Sequence, residues 1–348
     1  MTKIALATAA LLPFFAQAQT QVNLYGLVDM GVNHVSNVKG QSLTELRSGN
    51  MLASRFGIRG QEDLGGGTKL AFQLEAGVGA DTGSVGAADS FFNRQSWLGL
   101  SQQGVGELRL GRQLTVMNDA FGIYGASTYM GTQAAAVEGT GAAGSVAANY
   151  NAMLSGTRLS NMVKFNSADM AGFKVRAMVA LGEQVGSNKA GRAESLGVTY
   201  AKHQIEAGVV YHVTHSADSA VQNSDRVWGV GASYKFLDGA RVGVTATQQT
   251  NAKHVAGNDA NTYAVLGLLP IKQWTLMASY QHLNDKSARD QNVNQLNLGV
   301  KYALSKRTEV YSLFSLQKVD NGGVAGMFSK TSGNDKQNQF NVGMRHAF

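Results

Sequence analysis

The sequence predicts an all-β chain, a 16-stranded antiparallel transmembrane β-barrel. Three observations lead to this prediction. Apolar and polar residues alternate with a period of two, short and long polar breaks follow one another in turn, and the composition suits bent strands. The 348 residues include 42 glycines, 2 prolines and no cysteine. Glycine at about 12% exceeds the roughly 7% of ordinary proteins, and the lack of cysteine excludes disulfides and thiol chemistry.

The first 18 residues have the pattern of a signal peptide. Lys3 precedes an apolar run over residues 4–15, and Ala16-Gln17-Ala18 has the A-x-A form of a cleavage site. We therefore expect an exported protein whose mature barrel domain is residues 19–348. No other stretch approaches the ~18 apolar residues that a membrane-spanning helix needs, so a helical membrane protein is excluded.

The first strand shows the alternation most clearly. Val22, Leu24 and Val28 fall on one face, whereas Asn23 and Asp29 fall on the other. Such a strand has one face in an apolar medium and the other in water or a polar interior. The same pattern recurs over residues 69–75, 295–302 and 340–348.

The spacing of the breaks indicates a barrel rather than a soluble sandwich. Short breaks, most of which contain Gly, Asp or Pro, are predicted as turns at 63–67, 102–105, 169–172, 201–203, 237–239, 269–272 and 304–307. Longer polar stretches are predicted as loops at 36–53, 80–92, 115–161, 182–193, 214–226, 250–261, 284–291 and 320–336. This alternation predicts an up-and-down barrel with short periplasmic turns and long extracellular loops.

Several segments resemble the general porins of Gram-negative bacteria, of the β-proteobacterial type. The resemblance rests on residues 22–29, 54–67, 93–100, 110–113 and 343–348. It implies a homotrimer of barrels in the outer membrane, with the third long loop folded into each pore. It also implies a water-filled channel for passive diffusion of small hydrophilic solutes.

The third loop departs from the family pattern. Members of the family often carry a Pro-Glu-Phe motif there, whereas this chain has Met117-Asn118-Asp119-Ala120-Phe121-Gly122. Glu138 is the only charged residue over 133–148. The sequence therefore predicts a constriction more one-sidedly basic than is usual.

Arginines near the strand ends are the candidate selectivity residues, because fixed charge at a narrow point biases which ions enter. The predicted basic side of the constriction consists of Arg55, Arg94, Arg112 and Arg158. The predicted acidic side consists of Asp119 and Glu138. The alternative is that some of these arginines pair with loop carboxylates and hold the loop in place.

The C-terminus ends on an aromatic residue after an alternating strand. By resemblance, the assembly machinery of the outer membrane reads this end as a signal, for which Phe348, His346 and Met344 are the candidate residues. The same strand is expected to pair with residues 22–35 and close the barrel.

No motif indicates catalysis or a cofactor. The chain lacks G-x-S-x-G and H-E-x-x-H, so we expect no enzyme activity, cofactor or metal. The formal net charge is +7, but the basic residues are scattered and the chain is exported, which argues against nucleic-acid binding. Basic loop residues are instead candidate contacts for lipopolysaccharide phosphates.

The predicted function is an anion-preferring, water-filled channel for small anionic or neutral solutes. Two alternatives remain open from the sequence. One is a specific channel with a saturable site for an anion such as phosphate, sulfate or a carboxylate. The other is a mainly structural or adhesive barrel with a plugged lumen.

Overall fold

Sixteen antiparallel strands close into a barrel in the computed structural model. The structure describes residues 21–121, 129–130, 134, 137, 142–150, 157–237, 239–328 and 330–348. The predicted signal peptide and Glu138 lie outside the described residues.

The barrel strands follow chain order, and only the second is interrupted. They are β1 (Gln21–Val38), β2 (in two segments, Gln41–Ser48 and Arg55–Gly65), β3 (Thr68–Gly79), β4 (Gln95–Gln102), β5 (Gly106–Leu114), β6 (Arg158–Ser167), β7 (Phe173–Ala180), β8 (Ala193–Lys202), β9 (Ile205–His215), β10 (Ser224–Phe236), β11 (Ala240–Thr250), β12 (Ala260–Ile271), β13 (Trp274–Asp285), β14 (Val293–Ala303), β15 (Thr308–Val319) and β16 (Lys336–Ala347).

The barrel closes between β1 and β16. Residues 27–35 of β1 lie opposite residues 347–339 of β16. Gly26 and Phe348 then exchange two backbone hydrogen bonds of 3.1 and 3.0 Å. The predicted pairing over 22–35 is thus correct from residue 27 onward. Residues 21–25 extend past the end of the chain and pair with β2 alone.

The outer face is apolar and the inner face is polar, the inverse of a soluble protein. In β10, Trp228, Val230 and Tyr234 are 54, 53 and 53% exposed, whereas Asp225 and Ser233, of the opposite parity, are buried. Side chains alternate across a strand, so the exposed set is the lipid-facing one. This arrangement confirms the alternation predicted from the sequence.

Buried amides and hydroxyls line the inner wall of β13–β15. Asn297 donates to the Ser279 hydroxyl at 3.0 Å and accepts from Ser315 at 2.6 Å. Two residues closer to the extracellular end, Gln317 donates to Gln295 at 2.9 Å. These groups are satisfied by one another, as buried polar groups must be, and they stiffen the wall against which the third loop rests.

The predicted loop 36–53 is wrong over most of its length. The chain continues as strand to Val38, turns at Lys39 and Gly40 with φ of 50° and 91°, and returns as the first segment of β2. Positive φ at both turn residues is typical of a type I′ hairpin. The polar composition looked like a loop because this hairpin rises beyond the bilayer: at ~3.4 Å per residue, β1 is roughly 60 Å long, about twice the hydrocarbon thickness.

The predicted turn at 269–272 also begins too early. Leu269, Pro270 and Ile271 belong to β12 and pair with Leu276, Thr275 and Trp274. Lys272, with φ of 55°, and Gln273 form the turn. Pro270 misled the prediction because proline usually marks a break, although it is tolerated where a strand needs no amide donor.

Gly26 provides the space for the C-terminal ring. A Cβ atom added at Gly26 would lie 2.2 Å from Cζ of Phe348. We expect Gly26→Ala to lower the free energy of unfolding by about 1–3 kcal/mol, the usual cost of overpacking, measured as the urea midpoint in detergent micelles. Gly267→Ala is the matched control, since nothing lies within 4 Å of its added Cβ. Equal effects of the two substitutions would contradict this role of Gly26.

Candidate functional site

The third loop enters the barrel as a short helix, α1 (Val116–Phe121). Val116, Met117 and Ala120 are buried in a cluster with inward side chains of β6–β10, including Met178 and Val210. β8 has Gly197 at the contact, where a Cβ would come within 2.9 Å of Val116. Among the described residues, no helix is long and apolar enough to cross a bilayer.

A buried ion pair fixes the same helix. The side chain of Lys164 on β6 is only 1% exposed. Its Nζ donates to Asp119 Oδ2 at 2.7 Å and to the Leu114 carbonyl at 2.8 Å. A buried ammonium needs a counter-ion and acceptors; α1 supplies the counter-ion, and the last residue of β5 supplies the carbonyl acceptor.

The rest of the described loop continues along the same side of the barrel. Met130 packs with Leu266 and Met277 of β12 and β13. The hydroxyl of Tyr129 accepts a 2.5 Å hydrogen bond from Arg241 of β11. The described part of the loop therefore covers the wall from β6 to β15, which confirms that the loop folds into the pore.

The upper end of the loop is tied to the extracellular loops. The Tyr150 hydroxyl donates to Asp285 and accepts from Arg289 at 3.1 Å. Burial and the neighbouring carboxylate raise the pKa of the Tyr150 phenol, so its hydroxyl keeps the proton that it donates. The Val146 amide donates to the Val324 carbonyl at 3.0 Å.

The opposite wall, β2–β6, carries a cluster of guanidinium groups around one carboxylate. Glu75 of β3 has a side chain only 5% exposed. Its Oε1 accepts from Arg94 Nε at 2.6 Å, and its Oε2 lies 3.7 Å from Arg55 Nε and accepts from Tyr25 at 2.9 Å. Arg158 lies close enough to interact electrostatically with both arginines and with Glu75. The structure thus brings Arg55, Arg94 and Arg158 together.

Arg112 takes a different place. It interacts electrostatically with Arg158, but its strand parity is that of Leu110, which is 51% exposed on the outer face. Its guanidinium donates to the Asn93 carbonyl at 2.6 Å and the Ser160 hydroxyl at 2.9 Å. The expected lumen-facing position is corrected: Arg112 ties the rim together, beside a register shift after Gly111.

Asp119 does not face the arginine cluster as a free carboxylate. Its oxygen is paired with Lys164, because that buried ammonium requires a charge partner. The other expected acidic residue, Glu138, lies outside the described residues. The acidic partner of the arginines is instead Glu75, which sequence reasoning did not single out. The alternation of apolar and polar residues over 69–75 places Glu75 on the polar face of its strand. This position was the signal by which Glu75 could have been identified.

A second set of charged residues lines the periplasmic half of the same wall. A cavity of about 1190 Å³ there is bordered by Arg109, Lys174 and Arg176. Arg109 pairs with Glu107 at 2.7 Å, and Arg176 donates to Thr199 at 2.8 Å. None of these residues was predicted as a site residue, although their polar-face parity was readable.

Asp29 holds the break in β2 that precedes Arg55. Its side chain is fully buried in the wall of β1. One oxygen accepts from the amides of Met51 and Leu52 at 3.0 and 2.8 Å, and the other accepts from Tyr311 at 2.5 Å. Asp29 is therefore a positioning residue for the segment that leads into the arginine cluster.

The C-terminal residues proposed as an assembly signal lie on the outer face of β16. Met344 and Phe348 are 53 and 49% exposed. His346 hydrogen-bonds Thr308 of β15 at 2.9 Å.

Comparison with known proteins agrees with this architecture. Residues 5–323 match the profile of the Gram-negative porin family. The chain is 29% identical to outer membrane porin protein 32 of Delftia acidovorans, over 96% of this chain and 95% of that protein. It is 28% identical to the major outer membrane protein P.IB of Neisseria meningitidis serogroup A, over 98% of both.

A solved structure is similar as well. The anion-selective porin from Comamonas acidovorans superposes with a TM-score of 0.81 at 27% identity, covering 95% of this chain and 100% of that one. The family match, the closed barrel and the polar inner wall lead to one conclusion. The chain belongs to the Gram-negative porin family and forms a channel for passive diffusion of small hydrophilic solutes across the outer membrane.

Proposed function

We propose that this porin prefers anions and that Arg55, Arg94 and Arg158 set the preference. The observation that carries the proposal is the charge balance on the open wall. Three guanidinium groups share the single carboxylate of Glu75. The third loop covers the other wall, so a permeating ion passes between the loop and this cluster. The similarity to an anion-selective porin, at 27% identity, supports the same preference for anions.

The expected strength of the preference follows from electrostatics. One unit charge at ~4 Å is worth roughly 1–4 kcal/mol for an effective dielectric constant between 80 and 20. Physiological salt screens such charges over about 8 Å. A surplus of about two positive charges therefore favours anions clearly and still admits cations.

The periplasmic cavity supports the proposal. Arg109 and Lys164 are direct neighbours on the inner faces of β5 and β6, but each is paired with a carboxylate. Lys174 and Arg176 add positive charge to the same lining. Lys69 and Asp63 of the same lining offset each other, so an anion that leaves the arginine cluster meets a wall with a small surplus of positive charge.

One observation favours a second candidate function, a channel with a saturable anion site. Within the described part of the chain, Arg158 Nε is buried and has no hydrogen-bond partner. An unpaired buried donor costs free energy, which a bound oxyanion would recover. Conductance that saturates with phosphate or sulfate concentration would support this candidate over simple diffusion.

The test is a reversal-potential measurement on the purified protein in a planar bilayer under a tenfold KCl gradient. We expect the reversal potential of the single-channel current to have the sign of an anion-selective channel. Its magnitude should become smaller when both solutions are raised toward 1 M. At that concentration the screening length falls to about 3 Å. A reversal on the cation side would leave the channel in place and reject the anion preference.

We also propose that the barrel assembles as a homotrimer, that basic loop residues contact lipopolysaccharide, and that the assembly machinery reads Phe348, His346 and Met344. The apolar outer face and the exposed position of Phe348 support these partners. Current steps in groups of three, and a molar mass of three chains in detergent, are the expected results. A molar mass of one chain would reject the trimer.

A further inference from the structure

An apolar groove lies on the outer wall of the barrel, on β13–β16. Its volume is about 360 Å³, and it is bordered by Trp274, Val300, Tyr302, Val310, Ser312 and Val342. Ser312 pairs in register with Val300 on one side and Val342 on the other. Because the Ser312 side chain is smaller than those of the two valines beside it, it leaves a depression in the outer surface. Trp274, 50% exposed, packs on Tyr302 at 4.7 Å between ring centroids and forms its lower border.

The groove lies at the periplasmic end of the barrel. Trp274 directly follows the turn at Lys272 and Gln273, and Tyr302 precedes the turn at 304–307. The short turns of such barrels face the periplasm. Three strand residues span about 10 Å, so the whole groove lies within the inner leaflet. Aromatic residues at this depth are typical of the lipid headgroup boundary.

Three exposed cations lie in the two turns next to this groove. Lys272 belongs to the first turn, and Lys306 and Arg307 belong to the second. The Gln273 carbonyl accepts from the Ala303 amide at 2.9 Å, which joins the two turns side by side. Among the described residues, no carboxylate lies within 4 Å of the amino or guanidinium groups of these three side chains.

Two other periplasmic turns carry acidic residues instead. Asp63 lies in the turn after β2 and Asp169 in the turn after β6. The two cationic turns are adjacent to each other and to the groove, while Asp63 and Asp169 lie elsewhere on the rim. Apolar surface with neighbouring positive charge matches a ligand with a chain and an anionic head.

We propose that this groove binds an anionic glycerophospholipid of the inner leaflet. One acyl chain lies along Trp274, Tyr302 and Ser312, and the headgroup phosphate meets Lys272, Lys306 and Arg307. Lipopolysaccharide is the less suitable occupant, because its phosphates belong to the leaflet at the opposite end of the barrel. The site faces away from the pore, so the proposal is independent of ion selectivity.

The test is native mass spectrometry of the full-length protein in detergent, titrated with phosphatidylglycerol or phosphatidylcholine. We expect phosphatidylglycerol to be retained at concentrations at which phosphatidylcholine is not. A basic residue near an anionic lipid is worth about 1 kcal/mol, or roughly fivefold in affinity. Replacing Lys272, Lys306 and Arg307 together with glutamine is therefore expected to weaken phosphatidylglycerol retention at least about tenfold.

Two further variants locate the site. Ser312→Leu fills the groove and is expected to reduce retention of both lipids. Lys202→Gln is the matched control, because Lys202 is an exposed cation at the periplasmic end of β8, away from the groove. Unchanged conductance in every variant shows that the barrel and its pore are intact.

Three results would overturn the proposal. Equal losses in Lys202→Gln and in the triple variant would indicate non-specific charge attraction. Displacement of phosphatidylglycerol by lipopolysaccharide at equal concentration would assign the groove to the other lipid. A change in molar mass with Ser312→Leu would indicate that a second copy of the chain covers the groove.

Discussion

Replacing Arg55 and Arg158 with glutamine is expected to lower the anion-to-cation permeability ratio about five- to tenfold. Together with Arg94, these residues surround Glu75. The double substitution removes the surplus positive charge of the cluster and leaves one arginine with one carboxylate. A single charge in the pore is worth about 1 kcal/mol at close range, and screening by salt reduces the sum for two charges to about 1–1.4 kcal/mol, which corresponds to a change of this size.

Arg94 is retained in this variant for a structural reason. Its Nε makes the 2.6 Å contact to Glu75, whereas Arg55 lies at 3.7 Å. Removing Arg94 would leave a buried carboxylate without its closest partner, which is destabilising. With Arg94 in place, a change in reversal potential reports on charge rather than on a collapsed wall.

Two further variants test the direction of the shift in reversal potential and whether the shift is specific to the cluster. Glu75→Gln removes the carboxylate of the cluster and is expected to shift the reversal potential further toward the anion side. Arg226→Gln is the matched control, because Arg226 is exposed on the outer face of β10. A shift in Arg226→Gln as large as in the double variant would mean that the cluster does not set selectivity.

The alternation of β1 and β16 could be predicted because it is a local property. Side chains two residues apart face the same way whatever the neighbouring strands do. The same reasoning gave Arg55 its inward parity before any pairing was known. It also identified the two strands of the barrel seam, where only residues 21–25 lack the expected partner.

The role of Glu75 could not be predicted, since it depends on register. Gly57 lies opposite Glu75, and Arg55 lies opposite Gly77, so the carboxylate comes to rest one step from the Arg55 guanidinium. A shift of two residues would keep its parity and remove the contact. Arg94 reaches the same oxygens from the start of the next strand. The sequence determines which face of a strand a side chain is on, but it does not determine how far along the barrel axis a charge lies.

The partner of Asp119 escaped prediction for a related reason. The loop carboxylate was expected to face open arginines across the pore, on the analogy of a constriction with two charged sides. Lys164 is 45 residues away in sequence, and its inward parity on β6 brings it under α1. The Lys164 side chain is 1% exposed, whereas those of Arg55 and Arg94 are 25 and 13% exposed. The more deeply buried lysine competes more strongly for a carboxylate, because its unpaired charge is costlier.

Asp119→Ala is expected to release α1 from the wall for a substantial fraction of the time. The substitution leaves the Lys164 ammonium buried, with the Leu114 carbonyl as its described acceptor. Breaking a buried pair in this way costs about 3–5 kcal/mol. Larger and noisier single-channel currents are the expected result, together with faster cleavage of the third loop by added protease.

The double variant Asp119→Ala, Lys164→Met separates a lost contact from an exposed charge. Replacing both partners of a buried ion pair with apolar groups is often nearly neutral, and methionine suits a pocket that already contains Met162 and Met178. The double variant should therefore resemble the wild type more closely than Asp119→Ala does. Currents recorded near 1 M salt, where screening acts within about 3 Å, keep the altered charge from mimicking a change in pore width.

The effect of Asp119→Ala depends on how the apolar packing of α1 compares with the cost of the unpaired Lys164 ammonium. Val116 and Met117 are fully buried against the wall, and burial of each such side chain stabilises the docked helix by about 1.5–3 kcal/mol. This gain is comparable to the cost of the unpaired ammonium, so Asp119→Ala should leave α1 exchanging between docked and released positions. A quiet channel of unchanged conductance in Asp119→Ala would mean that apolar packing alone holds the loop. A double variant noisier than the single one would mean that Lys164 holds the loop through its carbonyl contact rather than through its charge.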